Sequence, residues 1–368
     1  MMRRLLLYLK NMDWIMVASV LLLLAIGLVE IYSVALGRGG ADLLNFKKQI
    51  LFIVIGFVLM FGLAFLDYHW LRSFGNYFYL IGVVALVAVL AFGKVINGTR
   101  GWFDIFGFGV QPVEFIKFVL ILFLARYFSA ASLKVAPVKH LVVTGLGTLL
   151  FFVLVLLQPD FGSGLLLFAL WLSIIILAGS EKKYLVTLFL VVAVMFGAAW
   201  SFYFKPYQKE RIMTFLNPSF NPLDQGYNVA QAIIAVGSGG LTGRGIGFGS
   251  QSQLKFLPES QTDFIFAVVA EELGFLGVGL VLLFFGIFFY RCLASVRQAK
   301  NDFGVFFTLG VMVLVFIEMF INIGMNLGVL PVIGIALPFL SYGGSSIIMN
   351  LMMVGVLQSI VIRSRISY

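Results

Sequence analysis

The chain has 368 residues, of which 61% are hydrophobic and 11% charged, with a mean hydropathy of +1.07. A soluble domain carries roughly a quarter charged residues, so the composition excludes one and marks an integral membrane protein. The net charge of +9 belongs mostly to basic residues that anchor loops at an anionic leaflet, and nothing in it calls for a nucleic acid partner.

The single cysteine, Cys292, excludes an intramolecular disulfide and a cysteine metal site. The amino-terminal MMRRLLLYLKN is basic, and the apolar run after it is too long for a signal peptide, so it reads as an uncleaved first span. Apolar stretches long enough to cross a bilayer lie near 14–36, 49–67, 76–93, 112–130, 140–157, 163–179, 184–203, 263–290, 304–324 and 344–362. The expected fold is an all-α integral membrane protein. It is a bundle of about ten transmembrane helices forming one polytopic domain over residues 1–368, with a large extracytoplasmic loop, 204–262, between spans seven and eight.

Basic residues set the expected orientation. Arg3, Arg4, Lys10, Arg72, Arg126, Lys182, Lys183, Arg291, Arg297, Arg363 and Arg365 fall on one side, which predicts that both termini are cytoplasmic. The opposite side then holds the irregular sequence. It comprises KVINGTRGWFDIFGFGVQPVEFIK (94–117), the tight turn QPDFGSG (158–164), the long loop, and LPVIGIALPFLSYGGSS (330–346), which suits a segment dipping into the membrane. Within the loop, YQKERIMTFLN and GYNVAQAIIAVGSG have helical apolar spacing.

Both histidines, His69 and His140, fall on the cytoplasmic side, so proton transfer on the outer side must use carboxylates, lysine, tyrosine or water. Asp263 stands where the glycine-rich run GSGGLTGRGIGFG and its sequel give way to a long apolar helix. An ionisable group at such a mouth marks a functional site, and Asp is equally a common helix N-cap; both readings stand. Glu271 shares its face but lies about 12 Å further along, too far for a shared-proton dyad, and Glu272 points elsewhere. These two glutamates read as structural hydrogen-bond partners in the bundle.

Glu114 and Lys117, at i and i+3 after Pro112, are neighbours on one helix face. They form either a self-neutralising pair or a polar cavity where Lys117 meets an anion. Arg100 before Gly101-Trp102, and Arg244 between glycines, are cations beside backbone that could form an anion nest. The glycine-rich run lacks the GK[ST] ending of a phosphate loop. No metal-ligand constellation of defined spacing appears, and the sequence calls for no particular cofactor. A Mg²⁺ held by one or two acids and a substrate's phosphates stays open.

Taken together, TRGWFDIFGFGVQPVEFIK, LQPDFGSG, YQKERIMTFLNP, NPLDQGYNVAQAIIAVGSGGLTGRG, QSQLKFLPESQTDFIFAVVAEELG and LPFLSYGGSS, in this order, closely resemble the SEDS family (shape, elongation, division and sporulation). The wording QSQLKFLPE is more similar to its elongation members than to its division members. The resemblance implies a peptidoglycan glycosyltransferase of the cytoplasmic (inner) membrane that polymerises lipid II at the outer face, with polyprenyl diphosphate as leaving group. It implies a class B penicillin-binding protein as partner, with lipid II, the nascent glycan strand and membrane lipids as its other contacts. The family's essential acid falls on Asp263, and matching positions fall on Glu114 and Lys117. Asp160 and Glu259 lie in matching motifs and are expected to contact substrate, with Arg100 and Arg211 at the diphosphate and Trp102 stacking on a sugar. Many members have His before the Thr-Asp pair; this chain has Gln261, which leaves Asp263 as the expected general base. Two rivals are a lipid II flippase, drawing on Glu271, Glu272, Glu318 and Asn322 inside the membrane, and a non-catalytic scaffold.

Overall fold

The computed structural model describes residues 2–37, 43–96, 98–105, 107–130, 137–202 and 225–366, together with 209, 213 and 215. An amphipathic helix α1 (Met2–Asn11) leads into the long apolar helices α2 (Trp14–Gly37), α3 (Leu43–Phe65) and α4 (Tyr68–Phe92). A small antiparallel sheet follows: β1 (Lys94–Ile96), β2 (Thr99–Ile105) and β3 (Phe108–Val110). Then come α5 (Pro112–Ala130), α6 (Pro137–Leu156), α7 (Phe161–Leu177) and α8 (Lys182–Phe202). After the loop region lie α9 (Gln225–Ser238), the single turn α10 (Ser250–Gln253), α11 (Ile265–Gln298), α12 (Asp302–Asn326) and α13 (Gly344–Arg365).

The chain is thus a multi-span membrane bundle, and seven of the described helices are long and apolar enough to cross. These are α2, α3, α4, α6, α11, α12 and α13. Helix α7 has only 17 residues, and α5 carries Glu114, Lys117 and Arg126 along its 19. The sheet replaces what the sequence reads as irregular, and pairs Asp104 with Gly109 and Phe103 with Val110. Beside it, hydrogen bonds from Lys94 and from the Gly107 amide hold the Asp104 carboxyl below its usual range. The segment YQKERIMTFLN lies almost wholly outside the described residues, whereas GYNVAQAIIAVGS is helical within α9.

Helix α13 is the most enclosed of the spanning helices and packs along α3; α12 packs on α5, and α11 on α2. Lipid offers no hydrophobic drive between helices, so close van der Waals fit and buried polar contacts hold such a bundle. At the end away from the sheet, arginines serve as caps. Arg363 donates to the Phe65 carbonyl (3.1 Å) at the close of α3, and Arg365 donates to Asn11 and Met12 (3.1 Å each) after α1. Arg291 pairs with the buried Asp13 at 2.7 Å. Cations near helix C-termini are favourable both as donors and against the dipole.

The glycine-rich run docks on α11 at Gly274, where the helix is interrupted by a left-handed residue (φ 65°). The carboxylate of Glu271 accepts from the amides of Gln251 (2.8 Å) and Ser252 (3.1 Å). That of Glu272 accepts from Ser33 Oγ (2.5 Å), Gly247 N (3.0 Å) and Gln253 Nε2 (3.0 Å). The amides of this run therefore receive the protein's own carboxylates and carbonyls. Arg244 likewise donates to Ser250 Oγ at 2.8 Å. A Cβ on Gly243 (φ 79°) would lie 2.1 Å from the Glu272 carbonyl oxygen, where backbone meets backbone. Gly243→Ala is expected to cost at least the about 1–2 kcal/mol of a left-handed alanine, read as a lower thermal midpoint in detergent. Gly237→Ala, in open helical space, serves as control and should not lower it. Equal midpoints for the two variants would refute the docking.

Candidate active site

A cavity of about 920 Å³ lies at the end of the bundle that carries the sheet. Its walls come from the start of α3, the sheet, the first turns of α5 and α7, residues 259–263, and the irregular stretch from Pro331 to the start of α13. Helix starts deliver most of the polar groups. Pro112 begins α5, where its missing amide hydrogen costs nothing, and Glu114 sits in the first turn, favoured by the dipole. Asp160 is the N-cap of α7, accepting from Ser163 N (3.0 Å) and Ser163 Oγ (2.7 Å).

Lys117 is the centre of a buried triad. Its Nζ donates to Glu114 Oε1 and to Glu318 Oε1, both at 2.7 Å, and the three side chains are almost wholly enclosed. Two carboxyl groups take two of the three donors of one ammonium and leave one for a ligand. The self-neutralising reading and the cavity reading of the Glu114–Lys117 pair both apply, because both residues also line the cavity.

Asp263 precedes α11 rather than capping it: the N-cap position is Phe264, with no side-chain cap bond. The Asp263 carbonyl accepts from Asn322 Nδ2 (2.9 Å) and Asn326 Nδ2 (3.0 Å). Its carboxylate faces Gly334, where an added Cβ would sit 3.6 Å from Oδ2. Opposite lies a chain stretch without regular structure, fixed by Asn322 on the Ile335 carbonyl (2.7 Å), Ser341 Oγ on the Thr262 carbonyl (2.7 Å) and the Tyr342 amide on the Gln261 carbonyl (2.8 Å). These bonds satisfy backbone that would otherwise be costly in a membrane.

The structure brings Asp263, Glu114, Lys117, Trp102, Asp160 and Glu259 to this one cavity. Glu259 Oε2 accepts from Thr262 Oγ at 2.9 Å. Arg100 is exposed outside the lining, its guanidinium donating to the Leu90 carbonyl at 3.3 Å. Arg211 lies outside the described residues. Two contributors escaped the sequence reading. Lys48 lines the cavity, donates to the Gly107 carbonyl (3.0 Å) and stands over the Phe108 ring; in the sequence it is one more cation before an apolar run. Glu318 was visible as an intramembrane acid, but its partner is 201 residues away.

Among the described residues no three acidic, histidine or cysteine side chains converge as a metal cage. The lining nevertheless holds Glu114, Asp160, Glu259 and Asp263 against Lys48 and Lys117. That donor set suits a divalent cation arriving with a substrate's phosphates.

The sequence model described as cell cycle protein, spanning FtsW, RodA and SpoVE, matches residues 13–366. Stage V sporulation protein E of Bacillus subtilis (strain 168) is 38% identical over 358 residues, which cover 95% of this chain and 96% of that protein. Peptidoglycan glycosyltransferase MrdB of Escherichia coli (strain K12) is 36% identical over 353 residues, covering 95% and 93%. A chain from a peptidoglycan synthase complex that coordinates polymerization and crosslinking superimposes with a TM-score of 0.82 at 30% identity, covering 96% of this chain and 98% of that one.

Proposed function

The chain belongs to the FtsW–RodA–SpoVE family of cell cycle proteins, and from that premise we propose that Asp263 is the general base of a peptidoglycan glycosyltransferase reaction in this cavity. The protein is a membrane-embedded glycosyltransferase that polymerises lipid II into glycan strands. The observation that carries the site assignment is the meeting of Asp263 with the Glu114–Lys117 turn of α5 around one cavity, although the two come from separate parts of the chain.

Asp263 takes the proton of the attacking sugar 4-hydroxyl, whose oxygen forms the new bond to the anomeric carbon of the donor. The bond from that carbon to the polyprenyl diphosphate breaks, and the diphosphate leaves with the electron pair. One base and in-line departure give inversion. Among the described residues Lys48 and Lys117 are the lining cations, and Glu114 with Glu318 fixes the Lys117 ammonium. Asp160 and Glu259, free of the base role, would hold a divalent cation, which would offset charge on the leaving diphosphate. Ten crossings, cytoplasmic termini and a cavity on the outer face complete the proposal, and a role in elongation rests on the QSQLKFLPE wording. Likeness to the synthase complex supports a crosslinking partner, and the family resemblance makes a class B penicillin-binding protein the proposed one.

The flippase reading drew on Glu271, Glu272, Glu318 and Asn322, and each of these is engaged by the glycine-rich run, by Lys117 or by the backbone beside Asp263. The deciding experiment is polymerisation of lipid II by purified full-length protein with its crosslinking partner, with and without chelator. Labelled lipid II crossing a proteoliposome with no polymer formed would overturn the enzyme reading in favour of transport. A second expectation concerns Trp102, half-buried in the cavity wall beneath Gly109. Trp102→Ala is expected to raise the KM for lipid II up to about tenfold with little change in kcat, the value of a lost ring contact. A fall in kcat at unchanged KM would place the ring elsewhere in the reaction.

A further inference from the structure

Helix α12 carries Glu318, Asn322 and Asn326 at four-residue spacing, so all three lie on one face. All are buried in a helix whose other residues are nearly all apolar. Polar groups at that depth are costly unless partnered, and here every partner belongs to the cavity or its supports. Glu318 accepts from Lys117 on α5. Asn322 donates at once to the carbonyls of Asp263 (2.9 Å) and Ile335 (2.7 Å). Asn326 donates to Asp263 (3.0 Å) and to the Asn322 carbonyl (2.8 Å), while its Oδ1 accepts the Ala267 amide (3.1 Å).

The Ala267 amide is one of the first-turn donors that a helix leaves unpaired and that a capping side chain usually takes. Asn326 therefore caps α11 from a neighbouring helix. Three separate strands of the site, namely α5, the residue before α11 and the irregular 331–343 stretch, are thus fastened to successive turns of a single rigid rod.

We infer that Glu318, Asn322 and Asn326 are positioning residues of the reaction, a polar stripe that fixes the Asp263 carboxylate relative to the Lys117 ammonium. None of the three lines the cavity, so they act through Asp263 and Lys117. The inference rests on Asp263 being the base.

The test measures lipid II polymerisation by full-length protein in complex with its partner. Turnover is expressed per folded molecule, with pH profiles and thermal midpoints recorded alongside. Asn322→Leu and Asn326→Leu are each expected to lower kcat roughly 10- to 100-fold at near-constant KM, the scale of a base displaced by about an ångström. Both should also move the acid limb of the kcat–pH profile. Glu318→Leu should lose more turnover than Glu318→Gln, which keeps an acceptor for Lys117. A purely structural role would reduce the folded fraction and leave kcat per folded molecule, and the profile, unchanged; that result overturns the inference. If Asn322→Leu does not fold, Asn322→Ser carries the same expectation. Wild-type turnover in Asp263→Asn would instead sink the base assignment, whatever the asparagine variants do. An inactive Asp263→Asn beside asparagine variants of unaltered kcat and profile sinks the stripe alone.

Discussion

Asp263→Asn is expected to reduce glycan-strand synthesis to the residual activity left by positioning alone, a loss of about 10²- to 10⁴-fold in kcat. The substitution is nearly isosteric. The one Asp263 atom held by both Asn322 and Asn326 is its backbone carbonyl oxygen, which an asparagine retains. The helix start is capped by Asn326 rather than by a side chain at Phe264, so the folded state should survive. Thermal midpoint and association with the crosslinking partner are therefore expected to match wild type while polymer disappears. Polymerisation of labelled lipid II, resolved by glycan length, reads this directly. Near wild-type polymer from purified Asp263→Asn would remove the base from this residue.

The second large effect is expected at Lys117. Lys117→Met keeps the aliphatic stem and deletes the charge between two enclosed carboxylates, each 2.7 Å from the lost ammonium. Breaking a buried ion pair from one side costs about 3–5 kcal/mol, because the remaining charge has no partner. Both stability and polymerisation should fall. Adding Glu114→Gln and Glu318→Gln removes the stranded charges, so the triple variant should regain much of the thermal midpoint. It should not regain polymer, because the cavity then lacks the Lys117 ammonium, leaving Lys48 alone at the other wall. If the triple variant recovered activity as well, the triad would be a packing device and Lys48 the one lining cation among the described residues left for the reaction.

Much of this arrangement is legible in the sequence, for reasons of range. The long apolar runs declare helices because membrane thickness demands them, and α9 follows from local apolar spacing. Glu114 and Lys117 meet because i and i+3 always meet on a helix. The small sheet was not legible: β1 and β3 have three residues each, too short for a period-two pattern to emerge. Glu271 and Glu272 read as partners within the bundle; Glu272 does meet Ser33 on α2, and their other carboxylate contacts go to Gly247 and to the turn α10 that follows the glycine-rich run. Glu318 and Asn322 looked like transport groups until their partners, 201 and 59 residues away, came into contact. Arg100 shows the opposite limit. A cation beside glycine and tryptophan suggested an anion site, but its guanidinium reaches back to the Leu90 carbonyl at the end of α4 and stays outside the cavity that Trp102 lines. The division between elongation, division and sporulation roles is likewise not written in overall similarity, since identities of 38% and 36% go to proteins with different names.

The docking of the glycine-rich run on α11 has a consequence for biogenesis. Helix α11 enters the bilayer carrying two adjacent carboxylates, and an acid near a helix centre costs up to about 2.5–3.5 kcal/mol on insertion. The groups that offset this cost emerge from the ribosome earlier: Ser33 is 239 residues upstream of Glu272, and Gln251 and Gly247 are 20 and 25 residues upstream of the glutamate each meets. The first span and the loop must therefore wait, incompletely packed, until α11 arrives and closes them. Assembly of this protein is in that sense gated by its eighth apolar stretch. Chains truncated before residue 265 should persist as protease-sensitive intermediates, whereas chains extended past Gly274 should become protected in a single step.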